Sequence, residues 1–212
     1  VAGDTKVVEK GSADGLFINT AGIGVIPARR KIGGQFARPG DAVLVSGTLG
    51  DHGIAILQAR GELGFESEIT SDVAPLNRML ENLLDEIPDV HVLRDPTRGG
   101  LGTTLKEIAC QSQVSLELDE ESLPIRREVK TACEMLGFDP LYLANEGKAI
   151  IILPDEYCSR ALEIIKSSPY GSLATRIGSV FERHPGQVLL KTAFGSTRML
   201  DMLSGELLPR IC

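Results

Sequence analysis

Residues 148–153, KAIIIL, carry the clearest indication of the fold class. An unbroken apolar run of this length predicts a strand buried on both faces, as in a sheet that is covered by helices. A second run, AVLVS at 42–46, predicts another buried strand. Strand and helix patterns alternate between and after these two runs. We therefore predict an α/β or α+β sandwich for most of the chain.

Apolar periodicity and turn residues give the other elements. The predicted helices are near 52–60, 75–86, 126–136 and 155–167, with one more after the segment DPTRGG. The predicted short strands are 91–93, 114–118, ATRIGSVF (174–181) and QVLLK (187–191), the last two around a His-Pro-Gly turn. Residues 5–9 and 16–20 are also β-prone, so a β-rich segment precedes the sandwich. Asp155 is predicted to cap the helix at 155–167.

Composition limits the classes of function. Among 212 residues the formal charge is −7, and the absence of Trp predicts an aliphatic core. Residues 1–40 carry six basic and three acidic residues, a local +3, which leaves −10 for the rest. The acidic body argues against a nucleic-acid partner. No apolar run is long enough to cross a membrane and no signal peptide is visible, so we expect a cytoplasmic protein without a membrane partner.

The four cysteines are far apart in the sequence. They are Cys110, Cys133, Cys158 and Cys212. Without a CxxC pair, and with three histidines, the chain has no zinc or disulfide pattern. The first three lie in predicted helices among aliphatic neighbours, and we interpret them as buried, unreactive thiols. Cys212 ends the tail LLPRIC, where a thiol is difficult to bury.

Two glycine-containing segments near the start have an ordinary and a functional interpretation. In GDTKVV (3–8), Lys6 beside Asp4 is either half of a surface ion pair or a cation that neutralises charge on oxygen or phosphate. SGTLGDHG (46–53) is either a phosphate-binding turn at a helix N-terminus or a tight turn with Asp51 as the helix cap. The residues alone leave both pairs of alternatives open.

Two later segments also have two interpretations each. DPTRGG (95–100) follows a strand and opens a helix, with Pro96 suited to the first turn. Asp95 and Arg98 there suit magnesium and phosphate, although Asp95 also suits a simple cap. In ANEGKA (144–149), Glu146 is a general base if burial raises its pKa, and otherwise a surface residue of a turn.

Taken together, GDTKVV, GLFINTAGIGVIP (15–27), DPTRGG, ANEGKA and the terminal PRIC resemble the HypE family of hydrogenase maturation proteins. This family is part of the superfamily of aminoimidazole ribonucleotide synthetase and selenophosphate synthetase. The resemblance runs from Gly3 to Cys212. It implies N-terminal domains that pair into a β-barrel in a homodimer, a C-terminal α/β sandwich, and ATP with Mg²⁺ between the domains.

The resemblance also predicts the domain organisation. Residues 1–40 correspond to the C-terminal remnant of the N-terminal ATP-binding and dimerisation domain. Residues 41–212 correspond to the C-terminal α/β domain with its cysteine tail. In the family a substantial stretch with aspartate-rich metal and phosphate residues precedes GDTKVV. We therefore expect these 212 residues to lack part of what ATP binding and dimerisation require.

The activity that the resemblance implies is ATP-dependent dehydration of a carbamoylated C-terminal cysteine to a thiocyanate. This reaction supplies the cyanide ligands of nickel–iron hydrogenases. The implied partners are the carbamoyltransferase HypF and the HypC–HypD scaffold complex. Cys212 resembles the group carrier, and Lys6 and Glu146 match positions that approach it. Asp95 matches an aspartate of the metal–nucleotide site.

Asp4 and Arg98 lie in the same motifs and are further candidates for cofactor binding, together with Lys6. Two other functions remain compatible with the sequence. One is a different ATP-using enzyme of the superfamily, such as a small-molecule synthetase or kinase, which has no need of a terminal thiol. The other is a non-catalytic carrier fragment that presents Cys212 to a partner.

Overall fold

The computed structural model describes residues 23–61, 63–64 and 68–203 of the chain. Contacts divide the chain into two units, residues 1–30 and residues 31–212. All the helices and strands of the described residues belong to the second unit. The predicted strands at 5–9 and 16–20 lie outside the described residues.

Seven strands of the described residues form one mixed sheet. They are β1 (Asp41–Val45), β2 (Val92–Arg94), β3 (Ser115–Asp119), β4 (Ile150–Pro154), β5 (Thr175–Phe181), β6 (Val188–Lys191) and β7 (Thr197–Leu200). Their order is β2-β4-β1-β5-β3-β6-β7. The β3–β6 pair is parallel and the other pairs are antiparallel. Although β5 and β6 follow each other in the sequence, β3 lies between them.

Five α-helices accompany the sheet in the described residues. They are α1 (Asp51–Ala59), α2 (Asn77–Glu86), α3 (Gly100–Ser112), α4 (Arg127–Leu136) and α5 (Cys158–Lys166). None of them is long and apolar enough to span a bilayer. Short 3₁₀ turns lie at Glu120–Ser122, Pro140–Tyr142 and Asp155–Tyr157.

The central strands are buried on both faces, as the run KAIIIL predicted. In β4, Ile150 and Ile152 pack into the core that α3 covers, whereas Ile151 and Leu153 pack into the core that α2 and α5 cover. A third apolar cluster joins α1 and α4 through residues such as Ile54, which is fully buried. These layers confirm the predicted α/β (α+β) fold class.

The segment 31–40 packs against the sheet unit. The Gly33 N–H donates to the His91 carbonyl oxygen at 3.0 Å, and the Gly40 N–H donates to the Val180 carbonyl oxygen at 2.9 Å. Ala37, which is 5% exposed, donates its N–H to Ser112 Oγ at 3.0 Å. The contact division at 30/31 thus falls ten residues before the predicted domain boundary at 40/41, which stays a prediction.

Two local predictions outside the quoted motifs are wrong. Asp155 does not cap α5, because that helix begins at Cys158 and Asp155 instead opens a 3₁₀ turn, with its carboxylate 2.8 Å from Arg176. Cys110 is exposed rather than buried, because it lies near the end of α3 on the side away from the sheet core. Cys133 and Cys158 are buried as predicted.

Candidate functional site

Asn145 joins three of the segments that the sequence singled out. Its Oδ1 accepts a hydrogen bond from the Gly50 N–H at 2.8 Å, and its Nδ2 donates to the carbonyl oxygens of Pro96 and Leu143, each at 3.0 Å. Its own N–H also donates to the Pro96 oxygen at 3.2 Å. The three segments therefore lie side by side, and hydrogen bonds of the buried Asn145 side chain connect them. They are SGTLGDHG, DPTRGG and ANEGKA.

Two glycines permit the close approach of these loops. At Gly100, where φ is +62°, an added Cβ would lie 2.6 Å from the carbonyl oxygens of both Leu141 and Leu143. At Gly147 an added Cβ would lie 1.9 Å from the carbonyl oxygen of Asp72. Since Cβ atoms do not approach backbone oxygens so closely, both positions require glycine for steric reasons.

The carboxylate of Asp72 also binds the ANEGKA loop. Its Oδ1 accepts from the N–H groups of Glu146, at 3.0 Å, and Gly147, at 3.4 Å. Its Oδ2 lies 3.1 Å from Lys148 Nζ. The side chains of Asp72 and Lys148 are 2% and 9% exposed, so this ion pair is almost completely withdrawn from water. The backbone on both sides of Glu146 is thereby fixed.

The Glu146 carboxylate itself is only partly covered. Its side chain is 30% exposed, and Oε1 lies 3.9 Å from Nε2 of His52. His52 is buried in the first turn of α1, and its Nδ1 lies 2.8 Å from Ser71 Oγ. The burial that the general-base interpretation of Glu146 invoked is thus partial. A carboxylate on a fixed backbone with an accessible face can accept a proton from a ligand.

A cleft of about 290 Å³ lies beside Asp72 and Lys148. Its wall includes Lys148 and Arg126, and each of these cations faces a carboxylate with a buried side chain, Asp72 at 3.1 Å and Asp51 at 3.5 Å. The charges of the described residues on the wall balance, so these residues give the cleft no net positive charge that would favour a free anion.

The structure favours the ordinary interpretation of SGTLGDHG. The N–H groups of Leu49, Gly50 and Gly53 already donate to Pro124 O, Asn145 Oδ1 and Ala144 O, respectively. They are therefore not available to a phosphate. Asp51 is not the cap, since Gly50 occupies that position with φ +83° and Asp51 begins the helix. The Asp51 carboxylate accepts a hydrogen bond from the Thr48 hydroxyl instead.

Asp95 and Arg98 lie on the surface of the DPTRGG loop. The Asp95 carboxylate accepts from Arg94 Nη1 at 2.7 Å and from Thr97 Oγ1 at 3.1 Å, and its side chain is 55% exposed. Arg98 is exposed. α3 begins at Gly100, so Pro96 precedes the helix rather than forming its first turn. Asn145 brings this loop next to ANEGKA.

The described residues do not make up a magnesium site by themselves. They contain no group of three or more His, Cys, Asp or Glu side chains arranged to hold a metal. Asp95 offers one carboxylate, which Arg94 already pairs. Mg²⁺ is commonly held by one or two carboxylates together with phosphate oxygens. Asp95 therefore offers a single carboxylate, and its role toward Mg²⁺ stays a prediction.

Three predicted site residues, Asp4, Lys6 and Cys212, lie outside the described residues. The role assigned to each of them stays a prediction. Four other side chains that shape the site were not singled out from the sequence, and these are His52, Ser71, Asp72 and Asn145. A fifth, Lys148, was quoted in ANEGKA and at the start of the apolar run, but without a role.

The chain is similar in sequence to a known domain family and to characterised proteins. Residues 38–191 match the family described as AIR synthase related protein, C-terminal domain. The carbamoyl dehydratase HypE of Azotobacter vinelandii is 51% identical over 212 residues, which are 100% of this chain and 62% of that protein. This chain thus spans about three fifths of the length of that relative.

Two solved structures share the fold and much of the sequence. A crystal structure of hydrogenase maturation protein HypE in complex with ATP aligns with a TM-score of 0.80 and 52% identity, covering 85% of this chain and 55% of the other. A crystal structure of a HypE–HypF complex aligns with a TM-score of 0.77 and 46% identity, covering 81% and 56%.

Proposed function

Since the chain belongs to the family of AIR synthase related proteins, whose C-terminal domain residues 38–191 match, we propose that it contributes to an ATP-dependent carbamoyl dehydratase. The proposed substrate is the chain's own C-terminal cysteine, Cys212, carrying a carboxamide on sulfur. The proposed product is the corresponding thiocyanate. The cyano group then becomes a cyanide ligand of the iron in a nickel–iron hydrogenase.

The observation that supports this proposal most directly is the setting of Glu146. Asp72 holds its backbone N–H at 3.0 Å, while the carboxylate remains 30% exposed beside His52. A carboxylate held in this way is suited to take protons from a bound amide. Proteins named carbamoyl dehydratase HypE match the chain over its whole length, which is consistent with this chemistry.

The proposed reaction balances in two steps. The amide oxygen of the S-carboxamide attacks the γ-phosphorus of ATP, so that an O–P bond forms and ADP leaves. Two protons then leave the amide nitrogen, the C–O bond breaks, and the oxygen departs as phosphate to give S–C≡N. Glu146 is the proposed acceptor of a proton from nitrogen, and Lys6 the proposed cation beside the oxygen as it is phosphorylated.

The remaining predicted residues have binding roles in this proposal. Asp95 is the proposed single carboxylate toward Mg²⁺, and Asp4 and Arg98 are proposed to bind the nucleotide phosphates together with Lys6. Bound Mg²⁺ would neutralise charge on the phosphates of ATP during phosphoryl transfer. The side chains of this chain would mainly position the reactants, since phosphoryl transfer depends on positioning and electrostatics.

The proposal includes the partners that the chemistry requires. A carbamoyltransferase, HypF, places the carbamoyl group on Cys212, and a HypC–HypD scaffold receives the cyano group on iron. The solved HypE–HypF complex is a precedent for the first contact in a similar protein. A homodimer that forms through the N-terminal domain and a cytoplasmic location complete the proposal.

The test is a mass measurement on the C-terminal peptide. The full gene product that contains these residues is incubated with its carbamoylating partner and ATP, and the peptide is released by proteolysis. We expect a carbamoylated mass first and then a mass lower by one water. Cys212→Ala is expected to abolish both modified masses and to retain ATP binding. Glu146→Gln is expected to accumulate the carbamoylated form.

Glu81→Gln, a substitution of an exposed glutamate on α2, is the matched control and should leave conversion unchanged. An unmodified mass throughout in the unsubstituted protein would contradict the proposal. Catalytic turnover of a small molecule that survives removal of the last residues would favour another superfamily enzyme. Carbamoylation without dehydration and without ATP binding would favour the carrier function.

A further inference from the structure

We propose that His52 is a positioning residue for Glu146, held in one tautomer by Ser71. This inference rests on the proposed function of Glu146 and adds to it a specific requirement for the neighbouring imidazole. His52 does not contact the reacting atoms in this proposal. It acts through the carboxylate that does.

The imidazole lies between two groups on different segments. Nδ1 is 2.8 Å from Ser71 Oγ, and Nε2 is 3.9 Å from Glu146 Oε1. The His52 side chain is 9% exposed, so its ring has little freedom to turn toward solvent. Its backbone lies in the first turn of α1, directly after the turn that Asn145 fastens to ANEGKA. The contact with Ser71 and the place of His52 in α1 therefore both limit how the ring can move relative to Glu146.

The contact at Ser71 suits either tautomer, because a hydroxyl can donate a hydrogen bond and accept one, and the proposed arrangement is the one in which Ser71 donates. Ser71 Oγ accepts from the Val73 N–H at 3.4 Å, a long contact that leaves the hydroxyl hydrogen free to point elsewhere. Ser71 Oγ also lies 2.8 Å from His52 Nδ1. A neutral imidazole has one N–H donor and one acceptor nitrogen. If the Ser71 hydroxyl donates to Nδ1, the hydrogen of the ring is on Nε2, which faces Glu146.

At 3.9 Å the contact between Nε2 and Oε1 is longer than a hydrogen bond. It is an electrostatic contact that favours one orientation of the carboxylate while leaving its oxygens able to accept a proton. Asp72 fixes the Glu146 backbone, and His52 biases its side chain. Small displacements of a reacting side chain can lower the rate of a reaction strongly, so a group that orients the side chain is expected to affect that rate.

The first test measures the tautomer and is independent of catalysis. In protein labelled with ¹⁵N at histidine, the His52 signals are identified by their loss in His52→Gln. We expect the Nε2–H tautomer at neutral pH, and a change in its population in Ser71→Ala. An Nδ1–H tautomer would overturn the inference whatever the activity of the protein.

The second test measures single-turnover dehydration of the carbamoylated full gene product. We expect His52→Ala to slow conversion by about 10–100-fold, the order of loss that misplacing a reacting group causes. The ATP concentration for half-maximal rate should change little. His52→Gln, which keeps an N–H donor, should recover much of the rate. His184→Asn, at an exposed histidine, is the matched control.

Combining substitutions separates positioning from simple packing. In a Glu146→Gln background, His52→Ala should cause no further loss of rate, because the group through which it acts is gone. Losses that multiply, or a His52→Ala rate equal to that of the unsubstituted protein, would overturn the inference. If Glu146→Gln itself converted at the normal rate, the proposed role of Glu146 would fail instead, and the tautomer measurement would still decide the geometry of His52.

Discussion

Lys148 illustrates how a single residue links the fold to the site. It opens the apolar run KAIIIL, and a lysine at the edge of a buried strand needs an anionic partner because burying an unpaired charge is very unfavourable. Asp72 is that partner at 3.1 Å, and the same carboxylate holds the backbone of Glu146 and Gly147. The need for an acid was inferable from the sequence. Which acid supplies it was not, because Asp72 lies 76 residues away in the sequence.

The thiols give a prediction at the same scale. Burial raises the pKa of the Cys133 thiol to about 11, and nearby Asp139 and Glu134 add to the shift. Burial likewise raises the pKa of the Cys158 thiol. Since the thiolate is the reactive form, both should be nearly inert at pH 8, whereas exposed Cys110 should react.

Cys212→Ala protein, which removes the terminal thiol from the measurement, is treated with iodoacetamide at pH 8 and its peptides are weighed. We expect rapid modification of Cys110 and no modification of Cys133 or Cys158 until the protein unfolds. Adding Cys110→Ser should abolish the rapid reaction. Equal labelling of all three thiols in the folded protein would contradict the burial of α4 and α5 residues described above.

At the scale of elements, local patterns predicted most helices and strands but not the order of the strands. Burial of one or both faces of an element leaves an apolar pattern in a short stretch of sequence, as at 148–153 and 75–86, and this pattern can be recognised locally. The insertion of β3 between β5 and β6 depends on pairings such as Leu116 with Val188 and with Val180, between residues far apart in the chain. No local pattern encodes those pairings.

The residues of the candidate site also fall into those that local sequence suggested and those that only the folded chain brings together. Glu146, Asp95 and Arg98 were proposed from motif chemistry and resemblance, and their roles stay predictions. Asn145 was quoted inside ANEGKA without a role, because its function depends on loops that meet only in the folded chain. His52 and Ser71 are 19 residues apart, and nothing in either local sequence indicates that they meet.

Asn145→Ala tests whether the hydrogen bonds of this side chain stabilise the packing of the three loops. It removes the partner of the buried Gly50 N–H and one partner of the Leu143 oxygen, while the Pro96 oxygen keeps the Asn145 N–H. An unsatisfied buried polar group costs about 1–3 kcal/mol, so we expect the free energy of unfolding to fall by about 2–4 kcal/mol. Urea denaturation measures it.

Asn145→Asp is the isosteric comparison. It keeps the oxygen toward Gly50 but replaces the amide that donates to Pro96 and Leu143 with a carboxylate oxygen. Because two carbonyl oxygens would then face a negative charge, we expect a loss at least as large as for alanine. Asn77→Ala, at an exposed position of α2, should change stability by less than about 0.5 kcal/mol. Similar small losses at both asparagines would show that the loops do not depend on Asn145.

At the scale of the whole molecule, the similarities confirm the resemblance to the HypE family that the motifs predicted. Within the sheet unit, a buried aspartate holds the turn through which the chain enters β1. Asp41 Oδ2 accepts from the Arg38 N–H at 2.8 Å and lies 2.7 Å from Nδ1 of the buried His91. The entry of the chain into the sheet is therefore fixed by a buried polar contact as well as by apolar packing.

The position of the domain boundary can be decided by truncation. Chains that begin at Lys31 or at Asp41 and both end at Cys212 differ only in the segment 31–40. That segment places Ala37 in the core and makes hydrogen bonds to His91, Ser112 and Val180. With about 1 kcal/mol for each hydrogen bond, the shorter chain should be less stable by about 3–5 kcal/mol. Urea unfolding followed by circular dichroism would show this as a lower midpoint with a similar slope. Equal midpoints for the two chains would instead support a boundary at 40/41, with the segment 31–40 contributing nothing to the stability of the sheet unit.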